Sequence, residues 1–90
     1  MKYLVFYEPA DNVLERGAPH MDAHSARIRE FHARGDLLLV GTLENPQVNG
    51  SLSVFRTREA AEEFVAGDPF VRNGVVKNWY VREWNEVLAP

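Results

Sequence analysis

Lys2-Tyr3-Leu4-Val5-Phe6-Tyr7 opens the chain with aromatic and β-branched residues and stops at Glu8-Pro9, which predicts a first strand. Asp11 to Gly17 reads as a connecting loop. From about Ala18 to Arg34, Met21, Ala23, Ile28 and Phe31 recur at helical spacing among charged residues, and Gly35 supplies a stop. Leu37 to Leu43 is a second strand. Asn45-Pro46-Gln47-Val48-Asn49-Gly50, dense in turn residues, joins it to a third at Ser51 to Phe55. Thr57 is a good N-cap for a second helix that carries Ala60, Ala61, Phe64 and Val65 on one face and ends near Gly67. Asp68-Pro69-Phe70-Val71 restarts a short helical turn with proline in its favoured first position. Val75 to about Glu86, with Trp79, Tyr80, Val81 and Trp84, is a long last strand.

The order βαββαβ is that of α+β, ferredoxin-like folds: a four-stranded antiparallel sheet with two helices on one face. A sheet with one wet face alternates apolar and polar residues. Here Tyr3, Val5 and Tyr7 oppose Leu4 and Phe6, and Leu37 to Val40 are apolar on both parities. Two helices cover one face, so the expectation is a homodimer in which the second face packs on another copy.

Ninety residues make one domain, 1–90, with little core to spare, and burial against a partner would add to its stability. The chain has no cysteine, which removes disulfides, thiolate metal sites and a cysteine nucleophile together. A net charge of −3 with scattered basic residues argues against nucleic acid as a partner. The longest apolar run, Leu37 to Val40, is too short for a bilayer, and Met1-Lys2-Tyr3 leads straight into a strand. No membrane association and a cytoplasmic location are therefore expected.

His24 carries the clearest chemical signal, because it stands one turn before Ile28 and two before Phe31 on the stripe that faces the sheet. A buried neutral histidine bonded to a backbone carbonyl is the plain structural alternative. Asp68, before Pro69, is equally well explained as a helix cap. Topology connects the two, since the end of the second helix lies beside the first helix on the same sheet face. A carboxylate bonded to an imidazole fixes its tautomer and stabilises its protonated form, which prepares it for proton transfer.

His20, four residues before His24, could share a metal ion with it and Asp68. The glutamate that metalloproteases place beside the first histidine is missing, however, and no metal is expected. Ser51 and Ser53 lack a nucleophile elbow, and Arg27 is either a solvated helix arginine or a contact for an anionic substrate. Gly41 inside an apolar strand is read as a place where a helix or a ligand approaches the backbone. His32 and Asp36 suggest no function.

The opening Tyr-Leu-Val-Phe strand, His24-Ser25-Ala26-Arg27, Leu38-Leu39-Val40-Gly41, Gly50-Ser51, Ala60-Ala61-Glu62, Asp68-Pro69-Phe70-Val71 and Gly74-Val75 occur in that order. The set resembles the YciI-like, or YCII-related, family of small bacterial proteins over most of the chain. The resemblance implies a ferredoxin-like fold, a dimer like the dimeric α+β barrels, and a site built on a histidine and an aspartate, here His24 and Asp68. Elimination of HCl from chlorinated aromatic intermediates is associated with some similar proteins. The family commonly has a longer glycine-rich insertion between the second and third strands, where Glu44 to Asn49 is short.

The leading expectation is a cofactor-independent enzyme performing elimination or isomerisation on a small, ring-shaped organic substrate. His24 would be general acid or base, Asp68 would orient it, and Ser51 and Arg27 would hold substrate oxygens. The alternatives are a non-catalytic dimeric module, binding a small ligand or a protein, with a structural His24–Asp68 pair, and a cofactor-free oxygenase.

Overall fold

A computed structural model describes residues 1–90. Its elements are β1 (Lys2–Pro9), α1 (Val13–Gly17), a 3-10 turn (Ala18–His20), α2 (Met21–Ala33), β2 (Leu37–Thr42), α3 (Pro46–Asn49), β3 (Ser51–Phe55), α4 (Arg58–Gly67), α5 (Pro69–Arg72) and β4 (Val76–Trp84). The strands form one sheet in the order β2-β3-β1-β4, with every neighbouring pair antiparallel. This is the α+β, ferredoxin-like arrangement. The two long helices, α2 and α4, meet above the sheet where the rings of Phe31 and Phe64 pack edge to face, 5.2 Å between centroids.

The segment from Asp11 to Gly17, expected as a loop, contains α1. Asn12 takes a left-handed conformation that redirects the chain, and Leu14, Glu15 and Arg16 are good helix formers. The long helix accordingly begins at Met21 rather than Ala18: Pro19 removes a backbone donor, and Ala18–His20 tighten into a 3-10 turn. The turn expected at Asn45 to Gly50 is itself a short helix, α3, entered through a left-handed Asn45 with Pro46 in its first turn. β2 ends at Thr42, one residue earlier than expected, and β4 starts at Val76. Thr57 caps α4 as expected, its Oγ1 accepting from the Ala60 N–H at 3.1 Å.

Parity sorts the strands into two faces. Tyr3, Val5 and Tyr7 of β1 lie on the helix side, in register with Phe55, Ser53 and Ser51 of β3. The core gathers Val5, Tyr7, Phe31, Leu37, Phe55, Ala60, Ala61, Phe64 and Val65. Each large apolar side chain sealed there is worth about 1.5–3 kcal/mol over leaving it in water. On the opposite face stand Leu4, Phe6, Leu52, Leu39 and Tyr80, with Phe6 stacked on Tyr80 at 5.1 Å. Leu39 is 68% exposed and Trp84 47%. An irregularity between Leu37 and Leu39 explains the mixed parity of β2: Leu37 turns into the core and Leu39 to the open side. Gly41 is also on the open side, and a Cβ there would meet nothing within 4 Å, so no element of this chain approaches it.

Candidate active site

Asp68 stands where α4 ends and α5 begins, and its sequence context puts it there. The residue before a proline is driven out of the helical region, and Asp68 has φ −69° and ψ 122°. The chain therefore breaks between two helices with the carboxylate turned back into the fold, fully buried. Three groups converge on it. The Phe70 N–H donates to Oδ1 at 3.1 Å, the capping role read from sequence. His24 Nδ1, on α2, is 2.7 Å from the same oxygen. The Tyr7 hydroxyl, on β1, donates to Oδ2 at 2.6 Å. An ionised carboxylate only accepts, so Nδ1 carries the proton and Nε2 is the ring nitrogen left for other chemistry.

The two residues paired from sequence do meet, and the cap and the pair turn out to be the same carboxylate. Tyr7 was not anticipated. It shares the parity of Val5, which the structure puts on the helix side, and a phenol in a core needs a hydrogen-bond partner; pattern alone does not say which. Strand pairing fixes its position, between Ser51 on β3 and Trp79 on β4. Gly50, with φ 84°, lets the chain pass the Tyr7 backbone, where a Cβ would collide with the Tyr7 carbonyl oxygen. Burial, and then the charge and hydrogen bond of Asp68, push the Tyr7 phenol far above its usual range, against a smaller opposing effect of Arg27. Tyr7 thus stays a neutral donor.

The Phe70 ring lies flat on the His24 imidazole, 3.8 Å between centroids and 6° from parallel. His24 retains 14% side-chain exposure. Beside this layer is a cavity of about 550 Å³ lined by Tyr7, Phe70, Val75, Met21, Ser51 and Thr42 among others. α1 and α3 frame its mouth through Leu14 and Gln47, so the short connection after β2 is part of the wall. Tyr7 and Phe70 line the cavity, whereas His24 and Asp68 stand one side chain behind it. An outer vestibule of about 740 Å³, edged by Asp11, Asn12 and Glu15, gives the mouth a polar rim.

Of the other candidates, Ser51 lines the cavity, with Thr42 opposite it on β2. Ser53 is buried between Val5 and Val40. Arg27 is committed elsewhere: its Nε donates to the Phe64 carbonyl at 3.1 Å and its Nη2 to the Glu63 carbonyl at 2.8 Å, and a Cβ on Gly67 would strike its guanidinium. It joins α2 to the end of α4, which holds His24 beside Asp68. His20 falls in the 3-10 turn, outside α2, and no group of three or more His, Asp or Glu side chains is placed to share an ion. His32 engages the Leu37 carbonyl through Nδ1 at 2.9 Å. Asp36 belongs to a surface network with Arg34 and Arg56. No helix is long and apolar enough to cross a membrane.

Comparison with known proteins adds a lineage to this geometry. The family model described as the YCII-related domain matches residues 1–85. An uncharacterised protein of Haemophilus influenzae is 29% identical over 98 aligned positions, covering 98% of this chain and all of its own length. Protein YciI of Escherichia coli is 28% identical with the same coverage. Among solved structures, 5-chloro-2-hydroxyhydroquinone dehydrochlorinase from Burkholderia phenoliruptrix, in complex with 2,5-dihydroxybenzoquinone, superposes with a TM-score of 0.74 at 19% identity over 94% of each chain. A protein of Agrobacterium tumefaciens gives 0.59 at 13% identity, over 100% of this chain and 98% of its own. At these identities the two structures speak to the fold alone.

Proposed function

This chain belongs to the YCII-related domain family, and from that premise we propose that it is an enzyme moving protons on a small cyclic organic substrate by elimination or isomerisation. The observation that carries the proposal is the buried carboxylate of Asp68 with His24 Nδ1 at 2.7 Å, beside a cavity large enough for a single ring. Ligand pockets run from about 300 to 1,000 Å³, and this one falls within that span. Asp68 fixes the imidazole with its proton on Nδ1 and stabilises the imidazolium formed when Nε2 takes a proton from substrate. In an elimination, Nε2 removes the proton as the leaving group departs from the neighbouring carbon, and the imidazolium then returns its proton to solvent. Phe70 separates the imidazole from the cavity, and on this reading its ring turns aside to admit the substrate edge. Ser51, with Thr42 opposite, holds ring oxygens at the floor. Arg27 acts by fixing α2 against α4 rather than by touching substrate. No cofactor is invoked.

The open sheet face supports a second part of the proposal. Leu4, Phe6, Leu39, Leu52 and Tyr80 share this face, with the Arg82 guanidinium stacked over the Tyr80 ring at 4.9 Å, and a second copy supplies an identical face to pack against it. Sedimentation as a dimer at micromolar concentration is the expected result; a monomer would remove this part.

The dehydrochlorination named for the Burkholderia protein, and the dihydroxybenzoquinone bound to it, suggest the first molecules to try. With 5-chloro-2-hydroxyhydroquinone, chloride release should occur with the parent protein and fall by about 10²–10⁴-fold in His24→Ala, while circular dichroism stays unchanged. Release by His24→Ala at the parent rate would reject His24 as the acid/base group. One observation favours a second reading, a non-catalytic ligand-binding module with a structural pair: neither His24 nor Asp68 lines the cavity. It predicts that 2,5-dihydroxybenzoquinone binds equally well to parent and His24→Ala, and that neither protein releases chloride.

A further inference from the structure

Tyr7 is the one side chain that both lines the cavity and bonds the buried carboxylate. We infer that Tyr7 is a positioning residue that sets how strongly Asp68 acts on His24, and that it links occupancy of the cavity to the state of the imidazole. The inference rests on the cavity being the binding site, and it adds a residue and a direction of effect to that reading.

Asp68 divides its two oxygens. Oδ1 serves His24 Nδ1 and the Phe70 N–H, and Oδ2 serves Tyr7 alone. A hydrogen bond to one oxygen draws charge from the other, because the carboxylate shares its negative charge between them. The short Tyr7 bond therefore weakens the hold of Oδ1 on the imidazolium. Tyr7 is kept neutral by its surroundings and cannot switch this effect off by ionising at ordinary pH. Arg27, one turn after His24, is the charged group that acts on Tyr7 in the opposite sense to Asp68. The Arg27 guanidinium is held by carbonyls of α4, so Tyr7 is the adjustable partner. A ligand oxygen that bonds Tyr7, or a ring that shifts it, alters the Oδ2 contact and reaches His24 without touching it. The contact thus converts an apolar wall into a sensor of what fills the cavity.

The test is proton NMR of the imidazole C–H resonances of parent and Tyr7→Phe across pH. In Tyr7→Phe the carboxylate regains charge, imidazolium is favoured, and the His24 titration midpoint moves up by about half a pH unit or more. His32, bonded to the Leu37 carbonyl, serves as the unmoved control. A His24 midpoint that stays put, or moves down, in a folded Tyr7→Phe protein overturns the inference. Should that variant fail to fold, the parent protein decides: a downfield, slowly exchanging Tyr7 hydroxyl proton that shifts as His24 titrates supports the link, and one that does not respond overturns it. These readouts need no turnover, so they can fail while His24→Ala still abolishes chloride release.

Discussion

Asp68 and Asp36 are both carboxylates held by more than one donor, and they differ in nearly everything else. Asp68 is fully buried and accepts from a phenol, an imidazole and a backbone amide drawn from three different stretches of chain. Asp36, its side chain half-buried, accepts from the more exposed Arg34 at 2.8 Å and Arg56 at 2.9 Å, with Arg34 also bridging to the exposed Glu63. By formal charge Asp36 has the stronger partners. Water decides otherwise: exposed pairs are screened and spend side-chain entropy, whereas a buried group stripped of a partner has no solvent to replace it. The contrast shows where precise placement matters to this molecule, at the junction of α4 and α5 rather than at the end of α2.

The largest effect should come from Asp68→Ala. Removing the shared acceptor strands the Tyr7 hydroxyl, His24 Nδ1 and the Phe70 amide at once, and urea denaturation should register a loss of about 3–5 kcal/mol. A loss near zero would make the two carboxylates equivalent and break the contrast.

Tyr7→Phe should cost less, about 1–2 kcal/mol at neutral pH, since it removes one donor and leaves the carboxylate two. Its pH dependence sharpens the point. The folded phenol is raised above its ordinary value of 10, so the unfolded chain ionises first. The contribution of Tyr7 is therefore fully present below pH 10 and is lost as pH rises above it. Alkaline denaturation curves of parent and Tyr7→Phe should converge there; parallel curves would contradict the buried environment of the phenol.

The smallest effect belongs to Asp36→Ala, which should leave the denaturation midpoint essentially unmoved at physiological salt. Hydrogen bonds from Arg56 and Arg34 hold the Asp36 carboxyl below its ordinary value, and Arg34 does the same for Glu63. Their contribution is thus present above the usual carboxylate range and declines as pH falls through the depressed values. Glu86, bonded by Lys2 and the chain amino group, is lowered to about 2 and loses its share later still on acidification. An acid transition that moves with added salt in the parent and less so in Asp36→Ala would confirm that these pairs act through the surface.

The same contrast explains what could be read from the chain. Strand and helix order follow from residue pattern, because period-two and period-3.6 burial are local signals. The α4 cap at Thr57 and the break at Asp68-Pro69 are likewise written in single residues. Asn12 and Asn45 were harder: each starts a short helix from a left-handed conformation where turn-rich sequence suggests a loop. The candidate site was half legible. His24 lies on a stripe and Asp68 before a proline, so both announce themselves. Tyr7 looks like any inward strand aromatic until β1 is placed beneath the end of α4. The commitment of Arg27 was equally hidden, since carbonyls at a helix end carry no residue-type signature.

The most direct measurement is titration of the parent protein with 2,5-dihydroxybenzoquinone while the His24 imidazole C–H resonance is followed by NMR. A site built on His24 and Asp68 beside the Tyr7 cavity predicts a saturable shift of His24 with no matching change at His32. Saturable binding that leaves His24 unmoved, or the absence of binding to this cavity, would contradict it.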